Sequence, residues 1–181
     1  MWRYGTAVTL PLGNLRDRLA VVPQIGRVEW IGVRPGRAEP MVVVDEAVAI
    51  AARGLAGDRA VTGRVGGTRQ ITLVQAEHLP VVAALVGRAV VAPEQLRRNV
   101  VVAGINLVAL VRLRFAIGDE VILVGTGPCA PCSKLDTLVG PGGFQAARGH
   151  GGITAKIERG GRLRRGDVVR VLGPAGPAEG R

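Results

Sequence analysis

The sequence predicts a mainly β domain, a barrel or sandwich with a few short helices, and three observations carry that expectation. Hydrophobic residues make up 48% of the chain but aromatic ones only 3%, so the core must be built from Val, Leu, Ile and Ala. Val-rich runs favour strands over helices. Those runs are short and punctuated by glycine-containing turns, and only one stretch reads as a clear helix. At 181 residues the chain is most simply one domain, because two pieces would each fall toward the lower end of the usual domain size.

Taken in order, residues 1–25 read as an N-terminal extension or a first strand. Pro11 and Gly13 interrupt their apolar stretch, Arg16, Asp17 and Arg18 follow it, and no small-x-small cleavage site comes after. No apolar run approaches the roughly 20 residues that cross a bilayer, so the expectation is a cytoplasmic protein without a membrane partner. Strands are predicted at Arg27–Val33 and Met41–Ile50, separated by the turn-rich "PGRAEP", and at Arg69–Val74. The helix falls within Gln75–Val86, with Pro80 near its first turn and Gly87 as its stop. Further strands are predicted at Val100–Val102, Glu120–Val124 and Val168–Leu172. Gly118–Asp119 and Gly166–Asp167 are matching turn signals, and Gly160–Gly161 is a third. A domain of residues 26–173 is followed by "PAGPAEGR", residues 174–181, expected to be a flexible tail.

The formal charge is +10, from 24 Lys and Arg against 14 Asp and Glu. A basic chain invites nucleic acid as a partner. The arginines are scattered along the sequence, however, and few aromatics are present for base stacking, so no nucleic-acid partner is expected.

The only two cysteines, Cys129 and Cys132, lie in "GTGPCAPCSKLD" with one of the two lysines, Lys134, just beyond. In the reducing cytoplasm such a pair is more often chemical than structural. A disulfide, a redox couple, half a zinc site and a single offered thiolate all fit the spacing. Zinc wants four ligands, and the two histidines, His78 and His150, have no mutual ligand spacing. A thioredoxin-type couple wants a helix after the cysteines, and "SKLDTLVGPGG" looks too short and glycine-broken for one.

Five polar segments interrupt the apolar scaffold: "GLAGDR" (Gly54–Arg59), "TRQITL" (Thr68–Leu73), "RRNVVVAGINL" (Arg97–Leu107), the cysteine stretch, and "RGHGGITAKI" (Arg148–Ile157). Together and in this order, from about Gly26 to Leu172, they resemble the MOSC domain, named for the C-terminal domain of molybdenum-cofactor sulfurases. The resemblance implies a MOSC-type β-barrel that binds the molybdenum cofactor, a molybdopterin dithiolene bearing a phosphate, with no role for pyridoxal phosphate. It implies that the thiol of the Pro131–Cys132 unit is the molybdenum ligand and catalytic residue, Cys129 being optional. Soft thiolates suit such a centre. Arg97, Arg98 and Asn99 match the family's Arg-x-Asn segment; arginine forks suit phosphate oxygens and an asparagine amide can pair with a pterin edge. Arg69 has a similar role on offer, and Lys134 supplies a point charge for the thiolate or the phosphate. Arg148, His150 and Gly151 complete the implied cofactor-binding set, with glycine allowing close backbone approach and His150 placed to donate a proton. Asp58 is expected to orient the site or to pair with Arg59.

What the resemblance implies in function is reduction of N-hydroxylated small molecules, or a related oxo transfer. The chain has neither a glycine-rich nucleotide fingerprint after a strand nor an iron–sulfur cysteine pattern, so a separate electron-donor reductase is implied. Two alternatives remain at this level: a sulfur carrier holding a persulfide on Cys132, and a non-catalytic cofactor-binding module. Substrate and oligomeric state are not written in the motifs.

Overall fold

Val100, Val101 and Val102 are all buried, although successive side chains of a strand point to opposite faces. Val100 and Val102 point into a core of Ile31, Leu73, Phe115, Leu123 and their neighbours, while Val101 joins a second core with Val74, Val82, Leu96, Leu135 and Val139. A barrel with helices laid against its outside explains both. The computed structural model describes residues 14–176. Among these, seven strands close into a barrel: β1 (Gly26–Val33), β5 (Ile71–Gln75), β6 (Val100–Ala103), β7 (Leu113–Ile117), β8 (Val121–Pro128), β9 (Ile153–Arg159) and β11 (Val168–Pro174). Their order is β11-β7-β8-β9-β5-β6-β1, and the ring closes where Gly26 and Arg27 of β1 pair with Val169 and Val168. β2 (Val42–Val44) adds to the edge of β1. β3 (Glu46–Ile50), β4 (Gly54–Leu55) and β10 (Gly161–Arg164) form a separate small sheet. Closure removes the exposed edges that an open sheet would offer for aggregation.

Among the described strands all pairings are antiparallel except β5 with β6, where Leu73 lies opposite Val100. A parallel pair needs a crossover, and here it carries α2 (His78–Leu85) and α3 (Pro93–Leu96). These helices pack with α4 (Lys134–Val139) and α5 (Gly143–Ala146) over the outer faces of β5 and β6, forming the second core. Ahead of β1, α1 (Leu15–Ala20) occupies part of the expected N-terminal extension; residues 1–13 and 177–181 lie outside the described residues.

The expected strands and helix are present with shifted ends, but Met41–Ile50 is not one strand. It breaks at Asp45, a poor strand residue, and the chain passes from the barrel edge on β2 to the small sheet on β3. Nor do β9 and β10 form a hairpin about Gly160–Gly161: β10 pairs with β3, Leu163 opposite Ala47. A Cβ on Gly160 would stand 2.5 Å from the carbonyl oxygen of Ala49, so that glycine serves a close approach between segments.

One row of paired residues crosses five strands: Pro128, Ile153, Leu73, Val100 and Ile31. Four of the five polar motifs lie at the ends of these strands, while "GLAGDR" is carried by β4 and the turn that follows it.

Candidate functional site

Asp58 is almost fully buried and carries a charge that the fold must compensate. Arg34 does so with a two-pronged contact, Nε to Oδ2 and Nη2 to Oδ1, both at 2.9 Å, and its backbone N–H also donates to Oδ2 at 2.9 Å. Asn99, equally buried, donates from Nδ2 to Asp58 Oδ2 at 2.7 Å and to the Gly32 carbonyl at 3.1 Å. Its Oδ1 accepts from Arg34 Nη2 at 3.1 Å, from the Thr72 hydroxyl at 2.9 Å and from the Thr72 amide at 3.2 Å. The network ties three of the polar segments to the end of β1. Burial by itself would push the Asp58 carboxyl up, but the hydrogen bond and charge of Arg34, with the N–H groups of Ala60 and Arg34, hold it below the usual aspartate value.

This corrects two expectations. Asp58 pairs with Arg34, not Arg59. Asn99 does not offer its amide to a ligand, because both of its N–H donors and its oxygen are engaged within the protein.

Beside the brace lies a cavity of about 770 Å³, walled by residues of the segments 34–37, 53–70, 96–98 and 132–138. Eight arginines and Lys134 line it, and no carboxylate does. Cys132, exposed, opens into it, with Ser133 and Lys134 beside the thiol. Pro131 precedes the cysteine, and Cys132 accepts at its carbonyl from the Leu135 N–H at 3.0 Å as the chain turns into α4. A helix therefore does follow the cysteines, but it is only six residues long and ends at Gly140. Cys129 is 2% exposed, its N–H donating to the Gly152 carbonyl at 2.8 Å; both thiols are free.

Arg97 and Arg98 leave α3 in different directions. Arg97 takes a left-handed conformation at φ 53°, uncommon for a residue with a side chain, and its guanidinium holds the preceding loop by Nη1 on the Glu39 carbonyl at 2.8 Å. Arg98 turns inward and is 4% exposed. Its Nε donates to the Gly151 carbonyl and its Nη1 to the Leu96 carbonyl, each at 2.7 Å, while its Nη2 is buried with no partner. Burial pushes the Arg98 guanidinium below the ordinary arginine value; Cys129 and Cys132 act against this, and Arg69 and Arg34 act with it. A buried cation with an unsatisfied donor and no carboxylate is an incomplete arrangement that an anion would complete.

Of the residues expected at the site, Cys132, Arg69, Arg97, Arg98 and Lys134 line the cavity. Arg148, His150, Gly151 and Asn99 do not. Arg148 is exposed and bonds Gln145 Oε1 at 3.2 Å. His150 packs edge-to-face against His78, ring centres 5.0 Å apart, with both Nδ1 atoms buried and unpartnered. Burial first, and the neighbouring His150 second, push the His78 imidazole down. Gly151 is a packing point: a Cβ there would lie 2.6 Å from the Cys129 carbonyl oxygen and 3.3 Å from Arg98 Nη2. Among the described residues no group of three or more His, Cys, Asp and Glu is placed to hold a metal ion by itself.

The sequence reading missed the concentration of charge contributed by the 53–70 segment. The signal was present: Arg53, Arg59, Arg64 and Arg69 recur through a glycine-rich stretch in which Asp58 is the one carboxylate.

Comparison with known proteins agrees with the fold. A family model described as the MOSC domain matches residues 57–170. No curated protein matches the sequence. Among solved structures, the YuaD protein from Bacillus subtilis is similar at 21% identity, a TM-score of 0.69 and coverage of 86% of this chain and 100% of that one. YiiM from Geobacillus stearothermophilus is similar at 19% identity and a TM-score of 0.62, covering 81% and 75% of the two chains. YiiM from Escherichia coli, also at 19%, gives a TM-score of 0.61 with 83% and 72% covered. Among the described residues no helix is long and apolar enough to cross a membrane. With the barrel, the motif order and the family model over the same residues, the chain belongs to the MOSC domain family.

Proposed function

We propose that the protein binds the molybdenum cofactor in the cationic cavity and reduces N-hydroxylated compounds, or carries out a related oxo transfer. One observation carries this reading: a single exposed thiol, Cys132, opens into a cavity lined by nine cationic side chains and no carboxylate. The donor set suits a ligand that pairs a thiophilic metal with anionic oxygen. The unpartnered Arg98 Nη2 supports the fit, since an anion nearby would compensate the buried guanidinium.

In this reading Cys132 holds the metal through its sulfur, and Arg69, Arg97 and Lys134 receive the phosphate. When bound, the cofactor supplies the two-electron oxo-transfer chemistry. The protein's part is positioning. The Arg34–Asp58–Asn99 brace fixes the strand ends from which the cationic side chains project, and Arg98 joins the α3 turn to the Gly151 loop. Preorganised cations in a concave site act on developing negative charge without reorganising during the reaction.

The test is molybdenum and pterin content after expression in a cofactor-competent host, followed by turnover of a hydroxylamine with a reduced dye. Molybdenum with turnover is the expected result. Molybdenum without turnover leaves a cofactor-binding module; sulfane sulfur on Cys132 without molybdenum replaces the reading with that of a sulfur carrier.

A further inference from the structure

Eight of the arginines that look scattered in the sequence are gathered at one cavity in the fold. Arg37, Arg53, Arg59 and Arg64 stand exposed around the cavity into which Cys132 opens, and none is ion-paired with a carboxylate among the described residues. The surface carboxylates engaged in ion pairs, Glu46 and Glu158, lie on β3 and β9 and do not line the cavity. Charge of one sign is thus concentrated at one mouth: of the lining cations Arg34 is ion-paired, with buried Asp58, and these four are not. Such a rim speeds encounter with an oppositely charged partner and sets its orientation.

The proposed reduction says what kind of partner must come there. Converting R–NHOH to R–NH₂ and water takes two electrons and two protons: the N–O bond breaks, and the oxygen leaves as water. These 181 residues hold two cysteines and no nucleotide fingerprint, so the electrons enter from outside them. Resting on the reading above, we propose that the cationic rim is the docking face of an acidic one-electron carrier protein of ferredoxin or flavodoxin type. Two carriers are oxidised in succession for each substrate reduced, and solvent supplies the protons. Encounters of this kind bury little surface and depend on long-range charge, which matches an open rim of unpaired arginines. Nucleic acid is the rival polyanion, but no aromatic side chain lines the cavity to stack on a base.

The probe is a plant-type [2Fe–2S] ferredoxin, titrated against the purified protein at low and high salt. Arg59→Glu with Arg64→Glu should weaken ferredoxin binding about tenfold or more, whereas Arg88→Glu with Arg170→Glu, exposed arginines outside the cavity, should change it little. Added salt should weaken the wild type and flatten the difference. In turnover normalised to molybdenum content, the rim pair should raise KM for ferredoxin by a larger factor than it changes the dye-driven rate. Equal weakening by both pairs, absence of ferredoxin binding at low salt, or tighter binding of a single-stranded oligonucleotide would overturn the proposal. Molybdenum content of the same preparations reads separately: without the metal the cofactor reading fails, while the contrast between the two arginine pairs still decides whether the rim is where the carrier binds.

Discussion

Arg98 donates from Nε to the carbonyl of Gly151 at 2.7 Å, which fastens the turn after α3 to the loop that enters β9. The same loop receives the Cys129 N–H on the Gly152 carbonyl at 2.8 Å. Two segments that flank the cavity are therefore held by one short stretch of backbone, and a glycine is needed there because three groups converge on it.

Gly151→Ala tests that convergence. Its Cβ would meet the Cys129 carbonyl oxygen at 2.6 Å, the Ala147 carbonyl oxygen at 3.1 Å and Arg98 Nη2 at 3.3 Å. Two of the three are backbone and cannot rotate away. The expected cost is about 1–3 kcal/mol of stability, typical of overpacking. Urea unfolding measures it, and an unchanged midpoint would mean that the loop relaxes freely.

The brace predicts an acid-dependent loss of stability. Because Asp58 is held below its unfolded value, its ion pair contributes fully above the unfolded pKa of about 4, and the contribution is lost as pH falls through the folded value. Between pH 5 and pH 3 the wild type should lose more stability than Asp58→Asn, which lacks the titrating group. Near neutral pH Asp58→Ala should cost about 3–5 kcal/mol, because it leaves the Arg34 charge buried without its partner, and that cost should shrink as acid protonates the wild-type carboxyl. Parallel pH profiles for wild type and Asp58→Asn would show that other carboxylates govern acid unfolding.

How far the sequence carried can be seen in particular residues. Most of the barrel strands were legible because Val and Ile runs between glycine turns report burial directly, and the thiol with three of the eight cavity arginines, Arg69, Arg97 and Arg98, was reached through the motif order. The Asp45 break was not legible, since the apolar pattern runs through it and only the change of pairing partner reveals two strands. Nor was the parallel pairing of β5 with β6, which depends on helices packing outside the barrel. Arg34 and Asp58 stand 24 residues apart, and nothing local tells that pairing from Asp58 with its neighbour Arg59. Asn99 reads as ligand-facing in the sequence because residue type fixes what an amide can bond but not where it points.

Phosphate retention should depend on cavity arginines and not on net charge. Arg69→Ala with Arg97→Ala removes two cavity cations while leaving buried Arg98 in place; Arg164→Ala with Arg165→Ala removes the same charge outside the cavity, where Arg164 bonds Glu46 at 2.6 Å. A charge-assisted hydrogen bond contributes about 1.5–3 kcal/mol, so the first pair should lower pterin content clearly and the second should not. Equal losses would point to overall charge.

The two cysteines should respond unequally, and in different observables. Cys132 is exposed at the cavity, so Cys132→Ser should fold normally and lose molybdenum, since a hydroxyl is a hard, poorly ionised replacement for a soft thiolate ligand. Cys129 is 2% exposed, so Cys129→Ser buries a hydroxyl in place of a thiol at a cost of about 1–3 kcal/mol, while the proposed metal ligand stays in place. The first variant is then stable and empty, the second loaded and less stable. A disulfide would make the two substitutions equivalent, because either removes the bond, and a redox couple would abolish turnover equally in both. Metal content and thermal unfolding of the single variants, measured side by side, separate these cases. If Cys129→Ser loses the metal and Cys132→Ser keeps it, the ligand has been assigned to the wrong sulfur; if both keep it, the thiol does not hold the metal, and the cavity's cations alone must account for any cofactor bound.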